Sequence, residues 1–292
     1  MTVWPELTID DWRDTKDAVH MWTQIVGKVR MALEPLVNHW WNVTLYVSVR
    51  GLTTSMMPTP HGGLEIEFDF DEHVLRLTHT SGSERVIALR SMSVADFYRE
   101  VMAALAELGV DVAIQARPNE VPVSIPFADD TEVRPYDADA VRRFWLALVE
   151  IDRVLHEFRG RFRGKASPVH FFWGGFDMAA TRFSGRVAPP HPGGVPNCAD
   201  WVMLEAYSDE VSSCGYWPDG SEEGSFYAYA YPEPDGFREW AIQPAAASYS
   251  EEYGEFLLPY RDVRLSDDPD AMLLTFLQSA FDAAAVNAQW PQ

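Results

Sequence analysis

Between residues 39 and 89 apolar and polar side chains alternate strand after strand, and this pattern narrows the fold more than any other feature of the chain. Val43, Leu45, Val47 and Val49 point one way, and Asn42, Thr44, Tyr46, Ser48 and Arg50 the other. A Pro/Gly/Thr-rich loop over 53–63 follows. Leu64, Ile66, Phe68 and Phe70 then alternate with Glu65, Glu67, Asp69 and Asp71. Turns near Glu72 and at Ser81-Gly82-Ser83 lead into runs at 74–78 and 86–89. A sustained period of two specifies an antiparallel meander with one face buried and one solvated. The acid row then reads as the solvated face, with Arg76 as its cross-strand partner.

The buried face needs a cover, and helices flank it. Over 10–36, Val19, Trp22, Val26, Val29, Leu33 and Leu36 recur at spacings of three and four. Gly27 inside this stripe costs about 1 kcal/mol relative to Ala, which predicts a close backbone approach. Pro35 ends the helix. After the meander, Ser93 caps a second helix, with Val94, Phe97, Val101, Leu105 and Leu108 on its apolar side and Gly109 at its end.

The order then recurs. Residues 118–136 hold four prolines and read as a connector. A long helix over 137–163 follows, then a strand opening His170-Phe171-Phe172-Trp173, as His39-Trp40-Trp41 opens the first. Strands are predicted at 201–208, 211–217, 226–231 and 255–258, and a last helix starts at Asp268-Pro269. Asp-Ala-Val (17–19 and 139–141) and Gly-Lys (27–28 and 164–165) occur in both parts. The expected fold is α+β, with two similar helix–antiparallel meander–helix halves at 1–117 and 137–292, the mark of an internal duplication with a pseudo-twofold arrangement.

Among the 292 residues, 23 Lys and Arg face 44 Asp and Glu, a formal charge of −21. Such a surface repels phosphate backbones and anionic lipid, so neither nucleic acid nor membrane is expected as a partner. No apolar run approaches a membrane span, the first six residues lack the pattern of a signal peptide, and the two cysteines, Cys198 and Cys214, exclude a disulfide scaffold. A cytoplasmic protein is the expectation.

Several phrases are distinctive: the segment 22–30, Asn38-His39-Trp40-Trp41, His170-Phe171-Phe172-Trp173-Gly174, the segment 181–186, Glu205-Ala206-Tyr207-Ser208 and the segment 227–232. Together they resemble a bacterial family of about 300 residues catalogued only as a domain of unknown function. The resemblance covers nearly the whole chain. It implies a bacterial source and places a histidine where this chain has Asp209, but carries over no activity, cofactor or catalytic residue.

The residues themselves offer several candidate sites. The stretch 160–167 misses a phosphate loop by one residue, lacks the Mg²⁺-binding hydroxyl and follows a helix rather than a strand. His and Cys spacings match no metal motif, so no metal ligand is assigned; His39 and His170 would have to converge to make one. Cys214 reads as a buried strand cysteine. The second-half aromatics say most. Tyr227, Tyr229 and Tyr231 share a strand face opposite Ala228 and Ala230. If 201–208 is a strand, Trp201, Met203, Glu205 and Tyr207 share a face too. Juxtaposed, these faces form either an aromatic pocket wall or a second core.

Two readings follow. In the first, a small-molecule-binding protein or enzyme has its site in the second half or between the halves. His170 (the proton carrier), Asp177 and Glu205 are its catalytic candidates. His39, Arg50, Trp173, Arg182 (an anion clamp), Tyr207, Tyr227 and Tyr229 would bind the ligand, with no cofactor specified. In the second, a non-catalytic module docks a protein or a second copy through an exposed Tyr/Trp face. Oligomeric state is open in both.

Overall fold

A computed structural model describes residues 4–291; Met1–Val3, half of the segment read for a leader, lie outside the described residues. The first half opens with α1 (Ile9–Leu33), which ends two residues before Pro35. A sheet follows, built from β1 (Tyr46–Val47), β2 (Gly51–Thr53), β3 (Met57–Thr59), β4 (Gly62–Asp69), β5 (Val74–His79) and β6 (Glu84–Ala88). The order is β1-β2-β4-β5-β6, with β3 also paired to β4 and every pairing antiparallel. Leu64, Ile66, Phe68 and Phe70 are fully buried, as the alternation requires. β7 (Met92–Ser93) leads to α2 (Val94–Glu107), whose first turn is capped by the Ser93 hydroxyl accepting from the Asp96 N–H.

The stretch 118–136 contributes β8 (Val133–Arg134), which pairs with β7, and buries Phe127. The second half then holds α3 (Ala138–Gly160), β9 (His170–Phe172), β10 (Asp177–Val187), α4 (Asp200–Ala206), β11 (Asp209–Trp217), β12 (Ser225–Tyr231), β13 (Ser248–Ser250), β14 (Glu255–Pro259), α5 (Tyr260–Arg264) and α6 (Pro269–Asn287). Its antiparallel sheet runs β13-β14-β12-β11-β10-β9. The architecture is α+β.

The two sheets meet where Leu45 and Phe171 exchange backbone hydrogen bonds of 2.9 and 2.7 Å. α3 packs against both β1 and β10, and one apolar cluster runs through both halves. α6 lies on β11 and β12, where Ala228 is buried and leaves the helix room. Gly27 fulfils its expectation: a Cβ there would fall 2.1 Å from the Trp173 ring, so only glycine lets that indole lie against α1.

Three expectations need correction. The first strand does not begin at His39. Residues Asn38–Trp40 form a 3-10 turn in which His39 and Trp40 have φ of 57° and 61°, and the Asn42 side chain closes it by accepting from the Val37 N–H. Extended chain resumes only at Leu45, and Val49 is exposed. Residues 201–208 are not a strand. Met, Leu, Glu and Ala favour helix, and the short alternation in this segment is equally compatible with α4. Asp69, placed on the solvated face, is fully buried between Arg50 (2.7 Å) and Arg76 (3.6 Å). The strand expected to open at His170 is split by a turn into β9 and the 11-residue β10, which pair with each other antiparallel.

Candidate functional site

Alternation splits the second sheet into two faces. Met178, Ala180, Cys214, Tyr216, Phe226, Ala228 and Leu258 point into the core. Asp177, Ala179, Thr181, Ser213, Tyr227 and Tyr229 point the other way, into a cavity of about 820 Å³. Four segments enclose it: α4 as a roof, the 38–41 turn, the 195–199 loop and the start of the connector at 119–120. Trp173 continues the wall, its indole N–H donating to Val43 O at 2.8 Å.

The wall near the connector is assembled by α1. Gln24 exchanges two hydrogen bonds with the Asn119 backbone, at 2.7 and 3.0 Å, and the Lys28 ammonium donates to the Asn119 side chain. Asn119 and Asn197 then stitch the connector to the roof loop, and the Glu120 N–H donates to Pro196 O at 2.9 Å. This grip leaves the Glu120 side chain exposed to the cavity. Gly174 makes room for it: a Cβ there would lie 2.1 Å from Glu120 Oε1.

Three carboxyls face this space. Asp177 accepts a hydrogen bond from the Tyr227 hydroxyl at 2.5 Å, yet burial, with the charges of Glu120 and Glu255 against it, pushes its pKa up to about 7. Burial alone raises Glu255 to about 7. Burial also raises Glu120, opposed only by the charge of Lys28. Burial in turn pushes Lys28 down to about 8, with its ammonium 5.3 Å over the Trp173 ring. A carboxyl poised near neutrality and bonded to a phenol can give or take a proton.

The tyrosines are linked. Tyr207, at the end of α4, meets Tyr229 hydroxyl to hydroxyl at 2.8 Å, and Thr181 meets Ser213 at 2.9 Å. Tyr207 thus joins the tyrosine face as expected, but from a helix end.

His39 lines the opposite end of the cavity as a rivet. Its Nδ1 meets Ala206 O at 3.1 Å and its Nε2 meets the Lys165 ammonium at 2.8 Å. An ammonium only donates, so Nε2 is the acceptor and Nδ1 carries the hydrogen. Lys165 also pairs with Asp209 at 2.8 Å. Glu205 accepts from the His39 backbone N–H at 3.1 Å, which ties α4 to the turn and directs the carboxylate away from the tyrosines.

Asp177, Trp173, His39, Tyr207, Tyr227 and Tyr229 therefore share one cavity, and four other candidates do not. His170 is buried with both ring nitrogens unpartnered, and burial lowers its pKa to about 3, so it is the uncharged imidazole near neutrality. It does not share the cavity with His39. Arg182 projects from the opposite sheet face, its guanidinium 3.5 Å over the Phe158 ring and 4.4 Å over the Phe281 ring, with the Phe158 carbonyl as acceptor. Arg50 belongs to the first sheet, paired with Asp69. Glu205 serves the turn. Sequence reasoning missed Glu120, Glu255, Lys28 and Lys165. Neither Lys28 nor Glu120 carried a local signal, since Lys28 falls off the stripe of Val19, Trp22, Val26 and Val29.

Among the described residues no three His, Cys, Asp or Glu side chains are grouped as a metal site requires, and no helix is long and apolar enough to cross a membrane. Residues 4–292 match the model of a family described as a family of unknown function, DUF5996. No curated protein and no solved structure matches the chain significantly.

Proposed function

The chain belongs to this family of unknown function, so its role has to be read from its own side chains, and we propose that it binds a small organic molecule between the second sheet and α4. The observation that carries this reading is an 820 Å³ cavity walled by aromatic rings, with a few carboxyls and hydroxyls placed among them. Ligand pockets have this size and this mixture of surfaces. The Asp177–Tyr227 pair gives the same site the means for acid–base chemistry, which extends the reading to an enzyme. The recurring order of helix, antiparallel sheet and helix supports a further part of it, an origin by internal duplication.

Thermal-shift screening of a metabolite panel tests the proposal. Hits should raise the melting temperature of the wild type and be lost in Ala206→Trp, which fills the cavity from its roof, while the unliganded variant stays folded. A silent panel, together with a concentration-dependent dimer in light scattering, would overturn it in favour of a docking module. The exposed side chains for that alternative are Trp201 and Leu204 on α4, since the tyrosines lie beneath the roof.

A further inference from the structure

We propose that the ligand of this cavity is an organic cation, its positive charge drawn by the field of Asp177, Glu120 and Glu255 and its body laid against the surrounding rings. The inference rests on the binding reading above and adds the chemical class. Among the described residues the cavity lining includes three carboxyls and not one Lys or Arg. Lys28, the nearest cation acting on Glu120, is already engaged: it donates to Asn119 and lies over Trp173. No hydrogen bond supports the carboxyl of Glu120 or Glu255. Asp177 has the Tyr227 hydroxyl but no cation.

Carboxyls gathered on a cavity wall with no cation among them disfavour one another's ionisation and gain most from an incoming positive charge. The walls suit the same guest. Trp173, Tyr227 and Tyr229 line it, and aromatic rings attract an ammonium through their quadrupole and bury its carbon skeleton. The carboxyls are too dispersed to coordinate one inorganic ion, and the volume fits an organic molecule.

Binding should also move protons. The groups facing the three carboxyls are Tyr227 and Tyr229 from β12, Tyr207 from the end of α4, Lys28 from α1 and Cys198 from the roof loop. The tyrosines and Cys198 are raised by burial, and Lys28 remains protonated below about 8. Between pH 5.5 and 7, Asp177 and Glu255, both raised to about 7, are therefore the carboxyls that release protons as the cation enters, and affinity should rise with pH.

Calorimetric titration in 150 mM NaCl tests this with two cations, tryptamine and spermidine, and two tryptamine analogues, the neutral alcohol tryptophol and the anion indole-3-propionate. At least one cation should bind more tightly than the alcohol and the anion, more tightly at pH 7 than at pH 5.5, and release protons as judged in two buffers of different ionisation enthalpy. Its affinity should fall at least roughly tenfold in Glu120→Gln and in Asp177→Asn, the loss expected for a charge-assisted hydrogen bond. Equal binding of the alcohol or the anion would remove the cation class and leave the cavity reading standing. Cation binding unchanged in both variants would assign it to the acidic surface and also overturn the proposal. Silence of both cations overturns it too, and the metabolite panel then decides separately whether the cavity binds anything.

Discussion

Asp69 and Asp177 both lie on antiparallel strands, one in each sheet, and the protein treats them oppositely. Asp69 loses its solvent, but the Glu72 and Asp71 N–H groups and the Arg50 guanidinium hold its carboxyl below the usual range despite that burial. Asp177 has one phenol, no cation and two acidic neighbours, and is pushed up to about 7. The sheets differ in the same sense. On the first, acids opposite the core are answered one by one: Glu67 by Ser48, Glu65 by Thr53, and Asp69 by two arginines. On the second, one face is packed with Ala, Cys and Phe under α3 and α6, while the other meets a roof that touches it at the Tyr207–Tyr229 pair and stands off the rest. The lesson is that the same residue type is structural where its partners are supplied within the fold and available for other work where they are not.

The largest test of this contrast compares ring removal on the two sheets. Phe68→Ala should cost about 3–5 kcal/mol, as for a filled core, and Tyr229→Ala clearly less, because its ring borders a void. Equal losses in urea titrations would mean that the tyrosine face is a second core. Next, Asp69→Ala should destabilise by about 1–3 kcal/mol by stranding N–H donors and arginines. Asp177→Asn at pH 8 should instead stabilise by about 1–2 kcal/mol, discounted for the cavity's access to solvent. The sign follows from linkage. A carboxyl raised to about 7 in the folded state is protonated there while the unfolded chain has already ionised, so its penalty grows from about pH 4 and is complete above 7. The advantage of Asp177→Asn should therefore shrink towards zero near pH 4. Comparing variant with wild type is essential, because the half-buried His20 and the buried His170, pushed down to about 4 and about 3 by desolvation, tilt the whole-protein profile the other way. The smallest effect expected is for Tyr207→Phe, about 0.5–1.5 kcal/mol for one hydroxyl pair. A larger loss would make that pair a main fastening of the roof.

Much of the frame was legible because burial imposes a period. The alternation of Leu64 to Phe70, the stripes of α1 and α3, the caps at Ser93 and Asp268 and the Tyr/Ala division of β12 all record which side faces the core. Gly27 was legible as a close approach, though not what approached. The site was legible only in part. Tyr227, Tyr229 and Asp177 follow from strand parity once the sheet exists, whereas Glu120 depends on Gln24 and Lys28 gripping a connector about 90 residues away. No local pattern encodes that contact. Arg182 misled for a related reason: its charge suggested a clamp, but its parity placed it with Met178 and Ala180 on the core side, where three phenyl rings surround it.

The roof over the cavity has a consequence for how such a protein diverges. α4 contains no fully buried residue, whereas the floor beneath it is a strand ladder fixed by pairing on both edges. Substitutions at Val202, Met203 or Ala206 can therefore accumulate without unfolding the molecule, and each redraws the outline of what fits below. The shape of this cavity can thus be edited within a seven-residue helix while the platform is inherited intact.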